Sequence, residues 1–228
     1  MKKTVIILGA GASAASGAPL MKNFLDQAEN VKAGEGYVGA EAEKASEAFR
    51  IVFKGLRALR QAYAKSKIEL RNIESVFAAF EMAKLLGTLP GLEPSEIESL
   101  PSAMQHVIRD TLETNIRFQR EGDQNLPPYP YNDFVRRIIS DAEHENIAIL
   151  TFNYDISLEY ALYFNGIQAD YCLDEQKPGS LKVLKLHGSL NWFRCGGCKR
   201  IAPITMEMLK KQSMTRLIPK WVTTATGR

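Results

Sequence analysis

Thr4-Val5-Ile6-Ile7-Leu8 runs without a break into Gly9-Ala10-Gly11-Ala12-Ser13-Ala14-Ala15-Ser16-Gly17-Ala18-Pro19. The first five residues are mostly β-branched or apolar, the composition of a parallel strand buried in a sheet. Glycines directly behind such a strand mark the turn where an α/β chain passes into a helix. Two further apolar runs of the same kind follow far downstream, at residues 147–151 and 181–186. Helical spacing fills much of the chain between, over 21–30, 41–65, 73–86, 104–120, 134–142 and 156–164. Gly34, Gly36 and Gly39 break this region early. Gly87 to Pro94 and Pro101 punctuate it, and the prolines of 123–131 and the stretch 170–180 read as loops. The pattern predicts a Rossmann-like α/β parallel sheet with a large helical insertion, about 31–132, between the first and second strands. All 228 residues are expected to form one such domain.

Composition agrees with a globular chain. Hydrophobic residues make up 45% and charged residues 24%, and the formal net charge is +3. A balance that mild gives no reason to expect nucleic acid or a membrane surface as partner. The apolar run after Lys2 and Lys3 is too short for a secretion signal, which needs about 7–15 such residues. Nor does any stretch approach the roughly 18 apolar residues of a membrane-spanning helix. Three cysteines, an odd number, suit a reducing compartment. A cytoplasmic protein is expected.

Three motifs follow the three strands. In the first, Gly9 and Gly11 permit a tight turn and close approach of a phosphate to backbone N–H groups, with Ala10 between them. Ser13 and Ser16 can cap the next helix or touch a ribose or phosphate. The dinucleotide fingerprint G-x-G-x-x-G is incomplete, because Ala14 stands at the third glycine. The second motif is Leu150-Thr151-Phe152-Asn153-Tyr154-Asp155, and the third is Lys185-Leu186-His187-Gly188-Ser189-Leu190-Asn191-Trp192. Asn153 and Asp155 also suit a helix cap, and His187 a turn. Polar residues at the carboxyl ends of parallel strands nevertheless sit where such sheets bind ligands. His106 and His144 lie in polar helical surroundings and read as surface residues. Cys195-Gly-Gly-Cys198 has the spacing of half a structural zinc site, but no second pair follows, so zinc is not expected.

In order and approximate spacing these residues resemble the sirtuin signature: Gly9-Ala-Gly-Ala-Ser13 with Ser16-Gly17-Ala18-Pro19, then Thr151-Phe-Asn153-Tyr-Asp155, then His187-Gly188. The run Lys185 to Trp192, with Asn72-Ile-Glu74-Ser-Val-Phe77, is similar to the bacterial sirtuin-like branch of anti-phage defence proteins. The likeness extends to about Trp192. It departs from the protein deacylases: Leu20-Met21-Lys22 follows Pro19 in place of Asp-Phe-Arg, Phe152 replaces their glutamine, and the acyl-lysine cleft motifs are not evident. The resemblance implies an NAD+ hydrolase that releases nicotinamide and ADP-ribose. It assigns Asn153, His187 and Asp155 to catalysis. Gly9, Ala10, Gly11, Ser13, Ser16, Pro19, Thr151, Gly188 and Ser189 would bind NAD+. It also implies a homo-oligomer and a sensor partner of unknown kind. Two other readings stay open: a module that binds NAD or ADP-ribose without turnover, and an NAD-dependent protein deacylase. Only 40 residues follow Gly188, and the stretch 216–228 reads as a frayed tail, so the C-terminal part is expected to be truncated.

Overall fold

The computed structural model describes residues 3–31, 39–62, 69–121, 124–139, 143–173 and 177–204. Gly34, Gly36, residues 63–65, Asp123, residues 140–142 and 174–176, and the tail expected over 216–228 lie outside that description. In chain order the elements are β1 (Thr4–Leu8), α1 (Gly11–Ala14), α2 (Phe24–Glu29), α3 (Ala40–Ala62), α4 (Ile73–Leu86) and α5 (Pro94–Asn115). They continue with β2 (Gln119–Glu121), β3 (Gln124–Leu126), α6 (Tyr131–Phe134), β4 (Ile147–Thr151), α7 (Ser157–Phe164), β5 (Ala169–Asp170), β6 (Leu181–Lys185), β7 (Trp192–Arg194) and β8 (Ile201–Pro203). Among the described residues no helix is long and apolar enough to cross a membrane. The chain divides into two compact units. One takes the described residues up to Ala18 and from Ile116 onward, and the other runs from Pro19 to Asn115.

The first unit is a Rossmann-like α/β fold. Four of its described strands form an all-parallel sheet in the order β1-β4-β6-β5. Leu8 pairs with Thr151 and Thr151 with Lys185, so the last residues of β1, β4 and β6 stand in one row. The ladder continues one residue further: Phe152 N–H donates to the Leu8 carbonyl at 3.2 Å and Leu186 N–H to the Thr151 carbonyl at 3.0 Å. One face of the sheet carries Ile149, Leu181 and Val183. These pack with Leu158, Ala161 and Leu162 of α7 and with Tyr131, Val135 and Ile139 of α6 and the π-turn behind it. The other face differs from the buried strand expected at residues 4–8. Val5 and Ile7 are 62% and 67% exposed on β1, which is also the edge strand of the sheet.

Short elements were misread for lack of length. The helix expected over 104–120 stops at Asn115, and part of the following loop pairs as the hairpin β2–β3. The two-residue strand β5 and the hairpin β7–β8 carry too few residues to show a period.

The second unit is helical. Asn72 caps α4 by accepting the Glu74 N–H at 2.8 Å, and Gly87 ends it in the left-handed conformation at φ +66°, a cap that glycine enters without strain. Its inward face is Ile73, Val76, Phe80 and Ala83, while Met82 is exposed. Helix α5 starts at Pro94, ten residues before the expected Met104, and contains Pro101. A helical proline costs about 3 kcal/mol and removes one N–H. Here Ile97, Leu100, Met104, Val107 and Ile108 are buried along the same helix, and their combined burial outweighs that cost.

Gly55 of α3 lies tight against Leu100 and Phe80. A Cβ there would stand 2.8 Å from Leu100 Cδ2 and 2.9 Å from Phe80 Cε1, both on fully buried side chains. Glycine to alanine inside a helix ordinarily gains about 1 kcal/mol, whereas overpacking a tight core costs about 1–3 kcal/mol. Since neither side chain has room to turn away, Gly55→Ala is expected to lower the melting temperature. A rise would show that α3 can shift without loss.

Candidate functional site

The row of strand ends brings three loops to one edge of the sheet: Gly9–Ser13 after β1, Phe152–Asp155 after β4 and Leu186–Asn191 after β6. The last two are tied together, since Leu190 N–H donates to the Tyr154 carbonyl at 2.9 Å.

Ser13, Asn153 and Asp155 are buried and share one hydrogen-bond network. Ser13 Oγ donates to Asp155 Oδ2 at 2.8 Å. With its hydrogen so used, Ser13 Oγ accepts from the Tyr131 hydroxyl at 2.8 Å and from Asn153 Nδ2 at 3.0 Å. Asn153 Nδ2 also donates to the Gly9 carbonyl at 3.0 Å, which fixes the amide, because a flipped Asn153 would set two oxygens against each other. Its Oδ1 is left buried without a partner among the described residues. An acceptor kept that way costs about 1–3 kcal/mol. Thr151 Oγ1 supports the loop by accepting Asn153 N–H at 3.1 Å.

Asp155 serves two ends. Its Oδ1 accepts Ser157 N–H at 2.9 Å at the start of α7, the capping role its position suggests, while Oδ2 holds Ser13. Burial, and then the nearby Asp155 charge, push the Tyr131 phenol above its ordinary range, so it remains a hydrogen donor. Below the loop Lys185 Nζ donates to the Asp155 carbonyl at 2.5 Å and to Glu159 Oε1 at 2.6 Å. This ion pair is almost fully enclosed. Burial pushes the Glu159 carboxyl above its ordinary range against the pull of the Lys185 ammonium.

The remaining candidates divide. Gly9 and Gly11 are exposed and Ala10 half-buried. Neither glycine has a left-handed backbone, and a Cβ at either would meet nothing within 4 Å. The turn expected of them is present, Ala12 N–H donating to the Gly9 carbonyl at 2.9 Å, but the left-handed conformation falls to Gly17, at φ +98°. Ser16 is buried and donates to the Tyr129 carbonyl at 3.0 Å, fastening a loop. Pro19 is buried at the start of the helical unit. Gly188 takes φ +84°, and Ser189 Oγ donates to Asn191 Oδ1 at 2.7 Å. His187 is exposed. Its ring lies 5.4 Å from Phe152 and 5.8 Å from Tyr154, the two neighbours of Asn153. The imidazole therefore sits at the rim of this edge, while Asn153 turns into the buried network.

Cys195 and Cys198 flank the turn of the β7–β8 hairpin, and among the described residues no group of three or more Cys, His, Asp or Glu could hold a metal ion. A shallow groove of about 500 Å³, lined in part by Ala28, Phe49, Arg50, Phe53 and Arg57, belongs to the helical unit.

Sequence reasoning missed Tyr131, Glu159 and the charge role of Lys185. The alternation Leu181, Val183, Lys185 carried the signal for the last: a lysine on the inward side of a strand needs a buried partner. No family model matches this chain, and no curated protein matches it.

Proposed function

We propose that the edge formed by the loops after β1, β4 and β6 binds NAD+ and cleaves its nicotinamide–ribose bond with water, releasing nicotinamide and ADP-ribose. One observation carries this reading: the Asn153 amide is locked to the Gly9 carbonyl and Ser13, and its Oδ1 stays buried and unpartnered among the described residues. A ribose hydroxyl or an attacking water is a donor that would complete it. Glycine at positions 9 and 11, which the fold itself does not require, suits a pyrophosphate lying close against backbone N–H groups.

In this reading Asn153 orients the water or the ribose hydroxyls as positive charge develops on the sugar. His187 takes the proton of the water or of a ribose hydroxyl. Asp155 acts one step back, through Ser13, and keeps the amide aimed. The sirtuin-like resemblance supports the same roles and suggests anti-phage defence as the setting.

The experiment is incubation of the purified protein with NAD+ while nicotinamide is measured. Wild type is expected to release it, and His187→Ala to release it about 10²–10⁴-fold more slowly. Equal rates for the two would remove His187 from the reaction. A second reading, binding without turnover, draws on the exposed position of His187. Calorimetric binding of NAD+ with no product over hours would favour it, and stimulation by an acetylated peptide would favour a deacylase.

A further inference from the structure

The turn that closes the β7–β8 hairpin carries two thiols three residues apart. Cys195 N–H donates to the Arg200 carbonyl at 2.9 Å and Lys199 N–H returns to the Cys195 carbonyl at 3.0 Å. Lys199 holds a left-handed φ of +61°, and its ammonium donates to the Gly196 carbonyl at 2.7 Å. Below the turn the hairpin is anchored on both sides: Ile204 N–H donates to the Asn191 carbonyl at 2.7 Å, and Asn191 Nδ2 donates back to the Ile204 carbonyl at 3.1 Å.

In so tight a turn the Cα atoms of residues i and i+3 lie within about 7 Å. A disulfide spans roughly 4.4–6.8 Å between Cα atoms, so the two sulfurs can meet without unfolding the hairpin. Cys198 is exposed and Cys195 half-buried, within reach of a small oxidant. Amide hydrogen bonding from Cys198, its thiol and the Gly197 amide draw the Cys195 thiol below its ordinary range. Cys172 is the opposite case, pushed up by burial and by the Asp170 carboxylate.

We propose that Cys195 and Cys198 form a reversible dithiol–disulfide site that reacts with hydroperoxides. The Cys195 thiolate attacks one peroxide oxygen, the O–O bond breaks, and Cys195 becomes a sulfenic acid while hydroxide leaves. Cys198 then attacks the sulfenic sulfur, the S–S bond forms, and the sulfenic oxygen departs as water. The thiol pair loses two electrons and two protons, and hydrogen peroxide is reduced to two waters.

The test uses the full chain and hydrogen peroxide. After treatment, the peptide carrying both cysteines is expected to lose about 2 Da, restored by a phosphine reductant, while Cys172 stays open to alkylation. In the reduced protein, limiting iodoacetamide should label Cys195 about tenfold faster than Cys172. Cys198→Ser, checked for an unchanged melting temperature, should accumulate a sulfenic acid at Cys195 that dimedone traps. An unaltered peptide mass after peroxide, a bond linking two chains in place of the internal one, or equal labelling of Cys195 and Cys172 would overturn the proposal.

Discussion

Lys185→Met is expected to lower the unfolding free energy by about 3–5 kcal/mol near neutral pH, the usual result of leaving one member of a buried ion pair behind. The side chains of Lys185 and Glu159 are 1% and 2% exposed, so water cannot replace the lost ammonium. Glu159 Oε2 already lacks a partner among the described residues, and the same ammonium holds the Asp155 carbonyl. The loss should depend on pH. Burial raises the Glu159 carboxyl in the folded protein above its unfolded value, which is about 4.3. A group shifted in that direction stabilises the fold fully below the unfolded value and loses that contribution as pH rises through the folded value. Without Lys185 the carboxyl moves up further, so the variant should regain stability between about pH 8 and pH 5, more than wild type does. Urea unfolding at both pH values measures this. A second change, Glu159→Leu, should recover much of the loss, since apolar replacement of a buried pair is often neutral or stabilising. A deficit that ignores pH and survives the second change would mean that packing alone was lost.

On the proposed NAD+-hydrolase reading, Asn153→Asp should slow nicotinamide release about 10²–10³-fold, the range for removing one aimed polar group from a reacting centre. The substitution keeps the shape and exchanges the Nδ2 donor for an oxygen. That oxygen would face the Gly9 carbonyl and Ser13 Oγ, two groups that now accept from the amide. It would also add a negative charge beside the Asp155–Ser13 bond. Asn153→Ala removes the amide without adding charge and should slow release to a similar degree, with a smaller fall in melting temperature. Circular dichroism on both variants separates lost chemistry from lost fold. Release at the wild-type rate in both would place the reaction away from this edge.

How far these features can be read in the chain depends on the kind of residue. The runs 4–8, 147–151 and 181–185 are dense in β-branched and apolar side chains, and each forms a strand of the sheet. Asn72 and Gly87 bracket α4 because cap chemistry is local. Pro101 misled because its cost is local too, whereas the burial that overrides it comes from the rest of the helical unit. At the candidate site, Ser13, Asn153 and Asp155 stood out as polar residues next to strand ends. Tyr131 did not, since nothing in a proline-rich loop shows that its hydroxyl meets Ser13, 118 residues earlier in the chain. Glu159 looked like one acid in a helix until α7 was seen to bury it beneath β6.

The bond between Asn153 and the Gly9 carbonyl joins residues 144 positions apart, and that separation has a kinetic meaning. Contacts so distant in sequence form slowly, because the closure entropy of the loop between them must be overcome before they contribute. Gly9 and Ser13 leave the ribosome among the first residues, yet their partners Asn153 and Asp155 are translated about 140 residues later. Nascent chains ending before β6 therefore lack the third strand end of the candidate site.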